Sequence, residues 1–428
     1  MKTVVSAFFL FLLSSTSPIF SDPITTQGNG SLEQQQGQYI LHLKGSPYER
    51  GYQHGVLLKD QIQRNISTYI DKAKTNSPVP GRVEEFSKNI GTLMSFVPDH
   101  FKQEMKGLSD GSGIPIEKIV AINLFPEMFH CSGIAVSGDA SKNGELYHVR
   151  VLDYSVGKNL QSTAVLQVVE PDNAIPFINV SYAGFIGTVT GMNQQKIAIG
   201  EIGGLGYGSW QGIPMSFLLR EILEKATSIE EAKTILNNSP RTCEYYYVFS
   251  DGKTNECVGV YATASQLRYF EMGQSYALMA PSQLPKNYAP NGDHDKFILN
   301  GCALENTPYQ ILLFENDSRL ALLFRQQPKD CLLLTGFPHP ERYPILIDRV
   351  LAHYGSIDEQ SLIDIVKRPV ARESNLHNAI FKPSELKVWI AHAGSNDEPA
   401  CDQEYLEWDF SRMVGSPVDM DVQSALIP

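Results

Sequence analysis

A cysteine at the junction between two differently patterned parts of the chain is the residue best placed for covalent chemistry. Cys131 follows a stretch with helical apolar spacing and precedes a short apolar strand at 132–136. A free thiol has a pKa of about 8.5 and attacks as the thiolate, so a nucleophilic cysteine needs a base or a positive charge beside it. His54 and His130 could serve as that base, although no cysteine-protease signature surrounds Cys131. Without such surroundings, a lone cysteine usually packs as a small buried hydrophobe.

Motifs for other chemistries do not occur in the sequence. It contains no phosphate-binding loop, dinucleotide fingerprint, HExxH helix, EF-hand loop or GxSxG elbow. The triplet Asp293-His-Asp295 offers three adjacent metal-ligand types, but no second cluster has metal-site spacing and such runs usually lie in solvated loops. We therefore expect neither a metal nor a cofactor.

The part of the chain before Cys131 is predicted to be mainly helical. Residues 22–37 are rich in Gly, Gln, Ser and Thr and predict a flexible start. The first helix then begins at a capping box, with Ser46 as the N-cap and Glu49 three residues later. Helical spacing continues to about residue 128.

The part of the chain after Cys131 is richer in strands. Residues 132–136 and 146–152 are apolar strands joined by the turn-rich 138–144, which predicts a hairpin. Further strands follow, and the helices predicted among them cover residues 214–225, 229–237, 343–353 and 358–367. Strands in hairpins combined with paired helices favour an α+β fold with sheets layered between helices.

The end of the second hairpin strand carries a specific resemblance. It reads Arg150-Val-Leu-Asp153, and with Cys131 opening the hairpin it resembles the N-terminal-nucleophile (Ntn) hydrolases. This group includes the choloylglycine hydrolases, acid ceramidase and N-acylethanolamine acid amidase, and the branch most resembled is the acyl-coenzyme A:6-aminopenicillanate acyltransferases. Other segments that resemble this branch are 45–55, 184–193 and 368–381. The resemblance implies an αββα sandwich, two antiparallel sheets between helical layers, with a helical N-terminal pro-segment.

The resemblance also implies that the chain cleaves itself between His130 and Cys131. A small subunit of residues 22–130 and a large subunit of residues 131–428 would result, and they could remain together as a heterodimer. Cys131 would then carry a free α-amine, whose pKa of about 7.7 leaves a neutral fraction that can take the thiol proton. Because this amine supplies a base, a catalytic histidine at position 54 or 130 is not required.

Arg150 and Asp153 would act on the two reactive groups of Cys131. Arg150 would favour the thiolate and bind a substrate carbonyl or carboxylate, whereas Asp153 would hold the new α-amine by a hydrogen bond. On an ideal strand these two positions point to opposite faces. The strand must therefore bend or end between them if both side chains face the site.

Two further residues are candidates because of where they fall in the resemblance. Asn375 lies where ceramidase-like enzymes carry an oxyanion asparagine, and Glu201 lies near the catalytic glutamate of the amidase branch. Either could instead be a turn residue. The Thr-Asn pair of the bile-acid branch is replaced by Leu278-Met-Ala-Pro281, which argues against close kinship with bile-salt hydrolases.

The start of the sequence and its charge indicate an exported protein that does not bind nucleic acid. The chain has 428 residues and a net charge of -12, and an acidic surface repels phosphate backbones. Met1-Lys2 and the apolar residues 4–13 predict a secretory signal peptide over residues 1–21, with an uncleaved anchor as the alternative. The apolar run is short for a spanning helix, so we expect a secreted or lumenal protein without a stable membrane span.

Several functions remain open at this point. The first is hydrolysis of a linear amide in an N-acyl compound, through an acyl-enzyme on Cys131. The second is transfer of an acyl group from a thioester or ester to an amine, and a phospholipase B-like esterase would use the same residues. The last is a non-catalytic binding relative, against which the joint presence of Cys131, Arg150 and Asp153 argues.

Overall fold

The computed structural model describes residues 23–72, 82–124, 130–203, 209–243, 245–274, 296–299, 302–305, 327–335 and 342–414. Three predictions concern residues outside these ranges: the signal peptide over 1–21, the triplet Asp293-His-Asp295 and the segment Leu278–Pro281.

The strands and helices alternate along the chain in the order expected of an α+β protein. The strands are β1 Thr25–Gln27, β2 Gly30–Gln35, β3 Gln38–Gly45, β4 His130–Gly138, β5 Gly144–Asp153, β6 Ala164–Pro171, β7 Phe177–Tyr182, β8 Thr190–Asn193, β9 Ile197–Gly203, β10 Tyr245–Asp251, β11 Glu256–Ala262, β12 Leu267–Glu271, β13 Lys296–Leu299, β14 Cys302–Glu305, β15 Cys331–Thr335, β16 Asn375–Lys382, β17 Lys387–His392 and β18 Leu406–Asp409. The helices are α1 Pro47–Leu57, α2 Lys59–Ile66, α3 Arg82–Phe96, α4 Asp99–Ser112, α5 Ile116–Leu124, α6 Met215–Lys225, α7 Ile229–Asn238, α8 Arg342–Ala352 and α9 Glu359–Ile365.

The larger sheet joins the N-terminal segment to the rest of the protein. Its strand order is β1-β2-β3-β6-β7-β8-β9-β10-β11-β12, and every pair is antiparallel except β3 with β6. Residues 22–37 were predicted to be flexible, and this is wrong for 25–27 and 30–35, which form β1 and β2. The side chains of this polar stretch have little strand preference. Pairing with β3 nevertheless orders it, because the ladder satisfies its backbone N–H and C=O groups.

The smaller sheet carries the predicted hairpin. Its order is β15-β4-β5-β16-β17-β18, so β4 and β5 are central strands. The hairpin register places Cys131 opposite Leu152 and Gly133 opposite Arg150. The hairpin prediction is therefore confirmed.

The two sheets pack face to face between helical layers, as predicted. One apolar cluster joins the inner faces of both sheets and includes Val168, Val180, Phe381 and Ile390. A second cluster packs α8 and α9 against the outward-facing side chains of β4 and β5, among them Val136 and Val149. The other helices cover the opposite face of the larger sheet. Apolar residues alternating to both faces of a strand are buried only in such a layered fold.

The N-terminal helices pack through glycines. The capping box at the start of α1 is confirmed, since the Ser46 amide donates to Glu49 at 2.8 Å and Ser46 Oγ accepts from the Glu49 amide at 3.4 Å. A Cβ on Gly51 of α1 would lie 1.9 Å from the backbone carbonyl oxygen of Glu104 in α4. A Cβ on Gly107 would lie 2.1 Å from the backbone carbonyl oxygen of Tyr48. Only glycine permits this backbone contact. Among the described residues, no helix is both long and apolar enough to span a membrane.

Candidate active site

Cys131 lies between the two sheets at the beginning of β4. Its side chain is fully buried. Gly133, two residues along, points to the same face, where a Cβ would lie 2.5 Å from Ile202 Cδ1 of β9. The two sheets therefore approach closely two residues from the thiol, and the absence of a side chain at position 133 permits that approach.

A buried ion pair connects the two sheets next to the thiol. Arg150 Nη2 donates to Glu201 Oε2 at 2.8 Å, and both side chains are fully buried. Arg150 Nη1 also donates to the Val151 carbonyl at 2.6 Å, which fixes the guanidinium close to its own strand. Arg150 lies on β5 and Glu201 on β9, so two predicted site residues far apart in sequence do meet.

The surroundings of Cys131 act on its pKa in opposite directions. Burial raises the pKa of the thiol most strongly, and the negative charges of Glu201 and Asp153 raise it further. Arg150 lowers it, chiefly through its positive charge. The balance lies well above the usual value, so the thiol of the uncut chain is protonated and must lose a proton to react.

Asp153 ends β5 and points to the helix-covered side of the small sheet. Its Oδ2 bonds Arg342 Nη2 of α8, and its Oδ1 accepts from the Arg372 amide at 3.1 Å. Asp153 is nevertheless the cross-strand partner of His130, and its charge acts on the pKa of the Cys131 thiol. The strand does not turn both side chains to one face, and Asp153 is instead close to the backbone at the proposed cleavage bond. Sequence reasoning missed Arg342, because no local pattern links α8 to β5.

Asn375 begins β16 opposite Asp153 and fixes the ends of the neighbouring strands. Its Nδ2 donates to the Leu152 carbonyl at 3.0 Å and to Asn378 Oδ1 at 2.9 Å, while its Oδ1 accepts from the Cys401 amide at 2.8 Å. Both amide hydrogens are therefore engaged. Its side chain bonds to the carbonyl of Leu152, the cross-strand partner of Cys131, rather than to the thiol.

His54 has a structural place in the fold. Its Nε2 accepts a hydrogen bond from the Gly184 amide at 2.9 Å, and burial lowers the pKa of the imidazole to about 4. The ring is thus neutral and holds α1 to the turn after β7. His130 is the first residue of β4, immediately before the thiol.

A second set of polar groups, unforeseen from the sequence, continues across the same face. His377 of β16 lies opposite Leu152, which in turn lies opposite Cys131. The His377 ring bonds the Tyr182 hydroxyl at 2.9 Å through Nδ1 and the Thr190 hydroxyl at 3.0 Å through Nε2. Both partners belong to the larger sheet, so this set also bridges the two sheets.

A small apolar cavity of about 20 Å³ lies beside these groups. Its walls include Leu152, Leu376 and Tyr182. This volume accommodates about one water molecule. Within the described residues, no group of three or more His, Cys, Asp or Glu side chains is arranged to hold a metal ion.

Comparisons with known proteins find similarity to acyl-transferring and amide-cleaving proteins. The family model described as acyl-coenzyme A:6-aminopenicillanic acid acyl-transferase matches residues 140–275. Protein dcd1B of Dictyostelium discoideum is 27% identical over 410 residues, covering 89% of this chain and 73% of dcd1B. Acid ceramidase of Rattus norvegicus is 25% identical over 263 residues, covering 55% of this chain and 66% of the ceramidase.

Among solved structures, the Caenorhabditis elegans N-acylethanolamine-hydrolyzing acid amidase ortholog has a TM-score of 0.42 at 14% identity, covering 65% of this chain and 99% of that protein. The family model and the ceramidase match confirm the similarity that the sequence motifs suggested: the chain is similar to the acyltransferase family over residues 140–275 and to acid ceramidase over about half of its length.

Proposed function

We propose that this chain is an exported cysteine amidohydrolase, which cleaves the linear amide of an N-acyl compound through an acyl-enzyme on Cys131. The observation that carries the proposal is the placement of Cys131 at the head of a central hairpin, with the Arg150–Glu201 ion pair fixed 2.8 Å apart beside it. A buried cation next to a thiol stabilises the thiolate and the charge that develops during acyl transfer.

The first step is cleavage of the chain itself. The Cys131 sulfur attacks the carbonyl carbon of His130, and the peptide nitrogen leaves as the α-amine of Cys131 after taking the thiol proton. Water then hydrolyses the resulting thioester, which frees the His130 carboxylate and regenerates the thiol. The bond concerned lies in the first two residues of β4, opposite Asp153 and Leu152.

Turnover would use the same sulfur with its newly formed neighbour. The α-amine takes the thiol proton while the sulfur attacks the substrate amide carbon, and the protonated amine then passes this proton to the leaving nitrogen. Water attacks the thioester and releases the carboxylic acid. In this scheme Asp153 positions the α-amine, Arg150 and Glu201 set the charge around the sulfur, and Asn375 orders the strand ends around the site.

Acyl transfer to an amine is the second candidate, and the family model that matches residues 140–275 favours it by its description. Both reactions form the same acyl-enzyme and differ only in whether water or an amine removes the acyl group. An exported protein would rarely meet coenzyme A thioesters, so we favour hydrolysis. Hydrolysis and transfer separate when the purified protein is given an N-acyl substrate with and without a competing amine.

The decisive experiment follows the fate of the bond between His130 and Cys131. Intact mass and amino-terminal sequencing should show two fragments for the native protein, one of them beginning at Cys131. Cys131→Ala should remain a single chain and lack amidase activity. Cys257→Ala, which removes another buried thiol on β11, is the matched control and should be cut and active. Native protein that stays intact yet hydrolyses amides would refute the α-amine mechanism, and intact, inert protein would favour a binding role.

A further inference from the structure

We propose that Tyr182 is a further catalytic residue, whose hydroxyl donates a hydrogen bond to the acyl oxygen when the carbonyl carbon becomes tetrahedral on Cys131. This inference rests on the proposed function and adds a residue to it. Acyl transfer requires such donors, because the oxygen takes on a full negative charge in a site with little water.

Tyr182 stands at the right place for this role. It is the last residue of β7 and lines the small cavity together with Leu152, the cross-strand partner of Cys131. The Tyr182 side chain is buried, and Leu152, which lines the cavity with it, separates the cavity from Cys131 across one strand pair. Its pKa is raised chiefly by burial and also by Tyr69 and the thiol of Cys131, whereas Arg150 lowers it. The phenol and the thiol therefore share one electrostatic environment.

The hydrogen bonds of His377 allow the phenol to donate toward the cavity. Burial, His392 and Arg150 together lower the pKa of His377 well below its usual value, so the ring is neutral and carries one N–H. With a hydroxyl on each ring nitrogen, at 2.9 and 3.0 Å, two tautomers are available. When Thr190 donates to Nε2, Nδ1–H donates to the Tyr182 oxygen, and the phenolic hydrogen is released for another acceptor. An oxyanion in the cavity would select this tautomer.

The candidate oxyanion donor from the sequence is otherwise engaged. The Asn375 amide donates its two hydrogens to the Leu152 carbonyl at 3.0 Å and to Asn378 Oδ1 at 2.9 Å. Arg150, by contrast, keeps a buried Nε–H without a partner among the described residues. Tyr182 and Arg150 could thus form a pair of donors, one from each sheet.

The test compares Tyr182→Phe with Tyr147→Phe. Tyr147 is another buried tyrosine, but it points to the outer face of β5, where its hydroxyl bonds Glu359 at 3.0 Å. With a fluorogenic N-acyl amide, Tyr182→Phe should lower kcat roughly 10²–10³-fold with little change in KM, as expected for loss of one oxyanion donor. Tyr147→Phe should keep kcat within about twofold of the native value, since a hydroxyl distant from the reacting atoms contributes no transition-state stabilisation.

A second variant tests the role if Tyr182→Phe does not fold. Fluorotyrosine at position 182 keeps the ring and the hydroxyl but makes the phenol a stronger hydrogen-bond donor, so kcat at neutral pH should rise with little change in KM. A native kcat for either folded variant would overturn the role of Tyr182, whereas activity of the native protein would uphold the proposed function. Native protein without amidase activity would overturn both.

Discussion

Two clusters of buried charge in this protein have similar chemistry but different surroundings. The first, here the helix cluster, consists of Arg50, Glu104, Arg220 and Glu224, all at most 5% exposed. The second, the thiol pair, consists of Arg150 and Glu201. Both place guanidinium against carboxylate in the buried interior. The helix cluster lies among the helices beside His54 and His100, whereas the thiol pair acts on the pKa of the Cys131 thiol.

The helix cluster is organised to satisfy its own charges. Glu104 accepts from Arg220 at 2.8 and 2.7 Å and from Arg50 at 2.9 Å, and Arg220 Nε donates to Glu224 at 3.0 Å. The guanidinium carbon of Arg220 also lies 5.1 Å from the centroid of the Phe101 ring. Burial favours the neutral form of Glu104, but Arg220 and Arg50 lower its pKa below the usual value. These contacts join α1 and α4 to α6, so the cluster connects the two sides of the proposed cleavage bond.

The comparison teaches that a buried ion pair can serve stability or tune a neighbour. In the helix cluster each charge is paired with an opposite charge, so removing one charge leaves another uncompensated. In the thiol pair both charges also act on Cys131: Arg150 lowers the pKa of its thiol and Glu201 raises it. Variants of the first should therefore change folding, and variants of the second should also change reactivity.

The largest expected effect is on the stability of the helix cluster. Glu104→Gln keeps the shape of the side chain but leaves Arg220 and Arg50 without their main counter-charge, and should cost about 3–5 kcal/mol of unfolding free energy. Urea unfolding of the two proteins measures this loss.

Asp110→Asn on the same helix is the control. Asp110 pairs with Lys106 on the surface, where solvent screens both charges, so its loss should lower the unfolding free energy far less than Glu104→Gln does. If Glu104→Gln were as harmless as this control, the helix cluster would contribute no more than a surface pair.

A smaller effect should appear as acid sensitivity next to the helix cluster. The pKa of His54 is about 4 in the folded protein, lowered by burial. The unfolded chain takes up a proton at about pH 6.5, whereas the folded one does not until about pH 4, so stability falls as pH drops between these values. At pH 5 this linkage costs about 2 kcal/mol relative to pH 7.

His54→Gln should flatten that part of the stability profile. The glutamine oxygen can still accept from the Gly184 amide, now bonded to His54 at 2.9 Å, but it cannot be protonated. Unfolding free energies measured from pH 7 to pH 5 should therefore converge between variant and native protein as the pH falls. A constant difference across this range would show that another group causes the acid sensitivity.

Local features of the site were predictable from the sequence, because neighbouring residues determine them. The hairpin follows from two apolar strands around a turn, and the capping box at Ser46 follows from residue types three apart. The alternation of side chains along a strand also predicted that Arg150 and Asp153 point to opposite faces of β5, and they do. The resemblance nominated Arg150 and Glu201 separately for the site, but the ion pair between them was not predicted, since β5 and β9 are distant in sequence.

Contacts that depend on distant strands were not predictable. Tyr182 and His377 form a hydrogen bond between the two sheets, and the sequence around neither residue contains a motif that indicates a site. The strands β1 and β2 were missed because a Gly- and Gln-rich segment has little strand preference of its own and is ordered by pairing with β3. Long-range pairing in both cases overrides the local pattern.

The smallest expected effect distinguishes the thiol pair most directly from the helix cluster. Glu201→Gln removes a negative charge that raises the pKa of Cys131, so the pKa should fall and chain cleavage should reach its full rate at lower pH. Arg150→Gln removes the charge that lowers this pKa, and cleavage should shift to higher pH. A change of about 1.4 kcal/mol in thiolate stability corresponds to roughly tenfold in rate at a fixed pH. The measurement is the cleaved fraction against time, across neutral and alkaline pH, by gel and by mass.

Opposite signs are the essential result, because loss of folding alone would slow cleavage in both variants. Glu104→Gln provides the comparison: it should lower stability, yet its folded fraction should show the native pH dependence of cleavage. If Glu201→Gln and Arg150→Gln shifted the profile in the same direction, the pair would act on folding as the helix cluster does, and the charge around the sulfur would not control its reactivity.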